Sequence, residues 1–138
     1  MVRVIMHGCN GRMGQVITEM IAKEAEMEIV AGVDVSDSVH NTYPVFKTLK
    51  DCDVEADVVI DFANAKAVDG LLDVCVERNL PCVLCTTGLS EEQLAHVKEA
   101  SGKVAILRSA NMSMGINLLM KLLKDAVPVL AAAGYDME

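Results

Sequence analysis

Aromatic residues are scarce: Trp is absent, and Phe, Trp and Tyr together make up only 3% of the 138 residues. A core must then be built from Val, Ile, Leu, Met and Ala, which suits a buried parallel sheet covered by helices. Basic charge is also in short supply. Twelve Lys and Arg stand against twenty Asp and Glu, for a formal net charge of −8 and an isoelectric point near 4.8. No basic stripe is present, which argues against nucleic acid and against anionic membrane surfaces as partners. No apolar run is long enough to span a bilayer. The apolar run at the N-terminus is short and ends in a glycine turn, unlike a signal peptide. The expectation is a cytoplasmic protein. The cysteines are Cys9, Cys52, Cys75, Cys82 and Cys85, an odd number that argues against a disulfide framework. Cys82 and Cys85 have metal-ligand spacing, but on a strand they point to opposite faces. No second such pair exists to complete a tetrahedral site. Buried free thiols, and no metal, are expected.

What is present is a folded chain, 52% hydrophobic and 23% charged, of a length that suits one domain with a real core. Val2 to His7 reads as a buried strand, and Arg12 to Glu24 as a helix. Met13, Val16, Ile17, Met20 and Ile21 make one apolar stripe on that helix. A second strand runs from Glu28 to Asp34. Val35 to Pro44 is a polar loop, and Val45 to Asp51 a short helix or turn. Ala56 to Phe62 is a third strand, Lys66 to Arg78 a helix, and Pro81 to Cys85 a fourth strand. Ser90 caps a helix that reaches about Ala100, with Glu91 and Glu92 in its first turn. Lys103 to Arg108 is a fifth strand. Ile116 to about Ala133 is a long apolar helix that Pro128 should kink or end. Strand and helix alternate throughout, the pattern of a doubly wound, Rossmann-type α/β sheet with helices on both faces.

The turn His7-Gly8-Cys9-Asn10-Gly11-Arg12-Met13-Gly14 joins the first strand to the first helix. Strand, glycine turn and helix form the context of a dinucleotide fingerprint. Gly8 lets the strand turn, Gly11 lets a diphosphate approach the backbone, and Gly14 lets the helix pack closely. The helix N-terminus then offers free N–H groups to the anion. Asp34 closes the second strand, where an acid accepts hydrogen bonds from the adenosine ribose diol. Ligands of such sheets bind beyond the carboxyl ends of the strands. Cys85-Thr86-Thr87-Gly88 and Ser109 to Gly115 also fall there.

Four motifs in order resemble the dihydrodipicolinate reductase family: Gly11-Arg12-Met13-Gly14, Val59-Ile60-Asp61-Phe62, Thr86-Thr87-Gly88 and Asn111-Met112-Ser113-Met114-Gly115-Ile116-Asn117. The resemblance covers the whole chain but only the N-terminal half of the family's length. It implies reduction of 4-hydroxy-tetrahydrodipicolinate in lysine and diaminopimelate synthesis, with hydride from NADH or NADPH. By position it implies that Gly8, Cys9, Asn10, Gly11, Arg12 and Met13 hold the diphosphate and Asp34 the adenosine ribose. Phe62 is carried over as a cofactor contact. Cys85, Thr86, Thr87, Ser109, Ala110, Asn111 and Met112 would border the nicotinamide. The family usually has Gly at the position of Cys85 and often Phe at that of Met112. Many members have Arg after the acid; here it is Val35, which favours NADH, with Arg12 the remaining basic candidate near the phosphates.

The family's His-His pair and Lys, in a second, mostly β domain, have no counterpart among His7, His40 and His96. Residues 1–133 are therefore expected to form the dinucleotide-binding domain, and 134–138 the start of a linker to a substrate domain. Alone, the chain is expected to bind cofactor without catalysis. Its last helix should expose apolar surface and favour self-association, while the resemblance implies a homotetramer for the full-length protein. Two rival readings are a non-catalytic dinucleotide-binding regulatory module and another oxidoreductase of this fold, such as an amino-acid dehydrogenase.

Overall fold

The computed structural model describes residues 1–110 and 112–136. Six strands form one parallel sheet: β1 Val2–His7, β2 Met27–Val33, β3 Val45–Phe46, β4 Val58–Asp61, β5 Cys82–Leu84 and β6 Ile106–Arg108. Their order across the sheet is β3-β2-β1-β4-β5-β6. The chain winds outward from β1 in one direction, then restarts at β4 and winds outward in the other. Between β1 and β4 the winding reverses, and a crevice opens there at the carboxyl ends.

The helices are α1 Arg12–Ile21, α2 Val68–Glu77, α3 Glu91–Ser101 and α4 Met114–Ala132. α2 buries Val68, Leu71, Leu72, Val74 and Cys75. They join Ile5, Val33, Val59 and Leu84 from the sheet, and Val97 and Ala100 from α3, in one core. No aromatic side chain is among its buried residues. α3 starts with a full capping box: the Gln93 N–H donates to the Ser90 hydroxyl, and the Ser90 N–H to the Gln93 side chain. All five cysteines are buried and free.

Several boundaries differ from the sequence expectation. α1 ends at Ile21 rather than Glu24, because Lys23 and Glu24 close the turn with N–H bonds to Met20 and Ile21. Val45–Phe46 is a strand, held by parallel pairing with Gly32 and Val33, and a 3₁₀ turn follows at Leu49–Asp51. Tertiary pairing decides such a short segment, which carries no periodicity of its own. A 3₁₀ turn, Ala65–Ala67, precedes α2. Pro128 does not end α4, which runs on to Ala132. A proline forfeits one helical hydrogen bond, but α4 is exposed along its length, so water can meet the carbonyl left over.

The apolar stripe of α1 is only partly buried. Ile21 is covered and Ile17 half-covered, but Met13, Val16 and Met20 are exposed. α4 likewise buries none of its residues, as expected for that helix, and exposes Ile116, Leu119, Met120, Leu123, Val127 and Leu130 at helical spacing. No helix among the described residues is long and apolar enough to cross a membrane.

Candidate functional site

The β1–α1 turn is shaped by what glycine leaves out. Gly8 has φ +81°, and a Cβ there would lie 2.7 Å from the Phe62 carbonyl oxygen. The turn therefore rests directly on the backbone that leaves β4. At Gly14 a Cβ would lie 2.2 Å from the Gly8 carbonyl oxygen, so α1 can sit this close only without a side chain. Gly11 is looser, with only the Gly8 carbonyl nearby, at 3.3 Å. It is the N-cap of α1, and no side chain among the described residues caps the helix. The first turn of α1, with Arg12 and Met13 exposed, stays open toward solvent.

The turn is stitched to the loop after β2. Asp34 accepts from the backbone N–H of Asn10 and from that of Ser36, each at 2.9 Å. The Asn10 side chain donates to the Ser36 carbonyl and accepts from Asn41 at 2.6 Å. Gln15 donates to the Cys9 carbonyl at 2.7 Å. Cys9 is fully buried under the turn, in space left by Gly32, where a Cβ would lie 2.6 Å from its sulfur. Burial first, and Asp34 second, push the Cys9 thiol up to about 11.

A cleft of about 630 Å³ opens beside the turn. It brings together Gly8, Gly11, Asp34 and Phe62 of the expected site. It also admits residues the sequence reading did not select: His7, Lys47, Ala63, Asn64 and Lys66. The lysines follow β3 and β4, and Lys47 was hidden because the strand that places it was not legible. Lys47 Nζ donates to the Val35 carbonyl at 3.0 Å and lies 3.4 Å from Asp37. A cation thus stands beside the position where the family often has Arg. His7 had a visible signal, a polar residue closing an apolar strand.

The remaining expected residues lie on the other side of the switch point. Cys85 follows β5, and its N–H donates to the Asp61 carbonyl at 3.0 Å. The Ser109 N–H donates to the Leu84 carbonyl at 3.1 Å, tying the chain after β6 to β5. The Cys85 thiol lies 3.9 Å from the Met112 sulfur, so the two departures from the family pattern touch each other. Burial, then Asp61, raises the Cys85 thiol to about 11. Thr86 is buried and its hydroxyl has no partner among the described residues, while Thr87 and Ala110 are exposed and Ser109 is partly so. Asn111 lies outside the described residues. No group of His, Cys, Asp or Glu among the described residues could hold a metal.

A parallel sheet ordered 3-2-1-4-5-6, with a glycine turn opening its first helix and an acid closing its second strand, defines a Rossmann-type dinucleotide-binding domain. Comparison with solved structures agrees. A dipicolinate-bound dihydrodipicolinate reductase from Paenisporosarcina sp. TG-14 superposes with TM-score 0.80 and 27% identity, over 91% of this chain and 53% of that one. A WlbA dehydrogenase from Bordetella pertussis, solved with NADH and UDP-GlcNAcA, shares the fold at TM-score 0.67 and 15% identity, over 90% of this chain and 42% of that one. Residues 2–112 match the family described as "Dihydrodipicolinate reductase, N-terminus", and the chain belongs to that family. It is 48% identical to the 4-hydroxy-tetrahydrodipicolinate reductase of Caldanaerobacter subterraneus subsp. tengcongensis and 44% identical to that of Clostridium novyi. Each match covers all of this chain and 54% of the relative. The chain spans about half the length of the curated relatives it matches.

Proposed function

We propose that this chain is the cofactor-binding domain of a 4-hydroxy-tetrahydrodipicolinate reductase and holds a nicotinamide dinucleotide at the switch point. One observation carries the reading: the uncapped first turn of α1 and the Asp34 carboxylate are joined in one structure by the Asn10–Asp34 hydrogen bond. The steric cradle at Gly8 and Gly14 and the buried Thr86 hydroxyl, which has no partner among the described residues, also fit such a ligand. The backbone from Gly8 to Met13 seats the diphosphate, and Asp34 accepts from the adenosine ribose. Phe62 borders the adenosine side. Cys85, Thr86, Thr87, Ser109, Ala110, Asn111 and Met112 surround the nicotinamide.

When bound, the dinucleotide supplies the hydride for reduction in the full-length protein. Residues 1–133 form the binding domain and 134–138 lead toward the substrate domain, which supplies the proton donor and the tetramer contacts. This chain binds cofactor without turnover, in a cytoplasmic, lysine-forming setting. Asp34 and Val35 favour NADH over NADPH, and Lys47 narrows that preference by offering a 2′-phosphate one cation.

Calorimetric titration of the chain with NADH and NADPH tests the reading. NADH binding at least as tight as NADPH is the expected result. Absence of binding by both would reject the dinucleotide site. Steady NADH oxidation with 4-hydroxy-tetrahydrodipicolinate and this chain alone would reject its dependence on a second domain.

A further inference from the structure

His7 closes β1 and Asp61 closes β4, and the two are register partners across the switch point. His7 Nδ1 and Asp61 Oδ1 are 2.5 Å apart. Asp61 is fully buried and His7 is 6% exposed, yet His7 lines the cleft next to Gly8. Neither side chain has a role in the reading above. Burial of a carboxylate is costly unless a counter-charge and hydrogen bonds meet it. Asp61 Oδ1 has the His7 ring and, at 3.3 Å, the Ala63 backbone N–H, whereas Oδ2 is buried without a partner among the described residues. Two aliphatic residues at these strand ends would cost less, and Ile5 and Val59, two pairs lower on the same strands, are such residues. Packing therefore does not account for the polar pair.

We propose that the His7–Asp61 pair belongs to the cofactor site, with His7 a donor to the cofactor's diphosphate. The inference rests on the dinucleotide reading above. Asp61 is the positioning residue. Its carboxylate accepts the Nδ1–H and fixes the ring. The other ring nitrogen, Nε2, is then left to donate to a ligand. Ligands of open parallel sheets cross the carboxyl edge at the switch point, and His7 is the side chain immediately before the glycine that shapes the diphosphate seat. An anion there meets the helix N-terminus from one strand end and a charge-assisted donor from the other.

Calorimetry with ADP and with adenosine, on the native chain and on His7→Asn, separates this role from a structural one. Asn places an amide near the position of Nδ1, so it can keep the bond to Asp61 while the far ring edge is lost. ADP affinity is expected to fall roughly tenfold to a hundredfold, the loss of one charge-assisted hydrogen bond, with adenosine binding as in the native chain. No loss for ADP, or equal loss for both ligands, overturns the proposal. If His7→Asn does not fold, ¹⁵N spectra of the native histidine rings decide. The His7 Nε2 resonance is expected to move on addition of ADP and to stay on addition of adenosine, and a resonance unmoved by ADP overturns the proposal. A native chain that binds neither NADH nor ADP rejects the dinucleotide site itself. NADH binding by the native chain with ADP affinity untouched in His7→Asn rejects only the role of the pair.

Discussion

The Asp34 carboxylate accepts the backbone N–H of Asn10 at 2.9 Å, so the end of β2 holds the glycine turn in place. Its other oxygen takes the Ser36 N–H at the same distance. Both oxygens keep a lone pair, and those are what a ribose diol would meet. Asp34→Ala is therefore expected to weaken NADH roughly tenfold to a hundredfold. NADPH, whose 2′-phosphate the acid repels, should lose less. Calorimetric titration of both cofactors checks this, and equal losses would remove Asp34 from the ribose site.

Lys47 is the counterweight. Its ammonium, on the Val35 carbonyl at 3.0 Å, is exposed and tethered by a weak surface ion pair with Asp37. Lys47→Ala is expected to lower NADPH affinity by about threefold to tenfold, the range for one solvated phosphate contact. NADH affinity should not change. The ratio of the two dissociation constants, measured in one buffer because salt screens such contacts, is the readout.

The buried thiols set an alkaline limit. Cys9 and Cys85 are raised from 9.0 to about 11, chiefly by burial. Cys82 is raised further, by its hydrogen bond with Cys75 and then by burial. In the unfolded chain these thiols ionise near their ordinary value, while in the folded chain they keep their protons. The unfolded state then binds fewer protons, so stability is expected to fall as the pH rises from about 9 to about 11. Below that window the thiols should resist alkylation, roughly a hundredfold more slowly than an exposed cysteine. Urea melts at several pH values, and mass spectrometry after iodoacetamide treatment, check both parts. Rapid labelling of Cys9 in the native chain at pH 8 would contradict the burial argument.

The exposed faces of α1 and α4 lead to the expectation that the chain associates with itself. Met13, Val16 and Met20 on one helix, and Leu119, Leu123 and Val127 on the other, leave apolar surface in water. Sedimentation of the native chain is expected to depend on concentration. The double variant Leu119→Glu, Leu123→Glu should sediment as a monomer with its unfolding transition little changed, since neither side chain is in the core. A native chain that stays monomeric at high concentration would contradict this.

The strand order comes from the structure, but the alternation of apolar runs with helical stripes is enough to give a doubly wound parallel sheet, because five of the six strands are long or apolar enough to declare themselves. Val45–Phe46 was not, since two residues carry no period and owe their conformation to Gly32 and Val33. That omission hid Lys47, and with it part of the cleft. The glycine turn and Asp34 were legible because their chemistry is local in sequence. The His7–Asp61 contact was not, because 54 residues separate two side chains that only strand pairing makes neighbours. The α1 stripe shows the opposite failure: its spacing was read correctly, but spacing alone does not say what covers a helix.

The two glycines that flank Arg12 and Met13 differ in a way that reaches beyond binding. Position 14 is sealed by the Gly8 carbonyl, 2.2 Å from where a methyl group would begin, whereas at position 11 the same carbonyl lies 3.3 Å away, so a shift of a few tenths of an ångström would relieve the contact. Random replacement of the turn followed by selection for soluble protein should return glycine alone at 14 and several small residues at 11. The same library selected on a dinucleotide column should narrow position 11 as well. That outcome would assign one of these glycines to the fold and the other to the ligand, and tell the two demands apart in a single population.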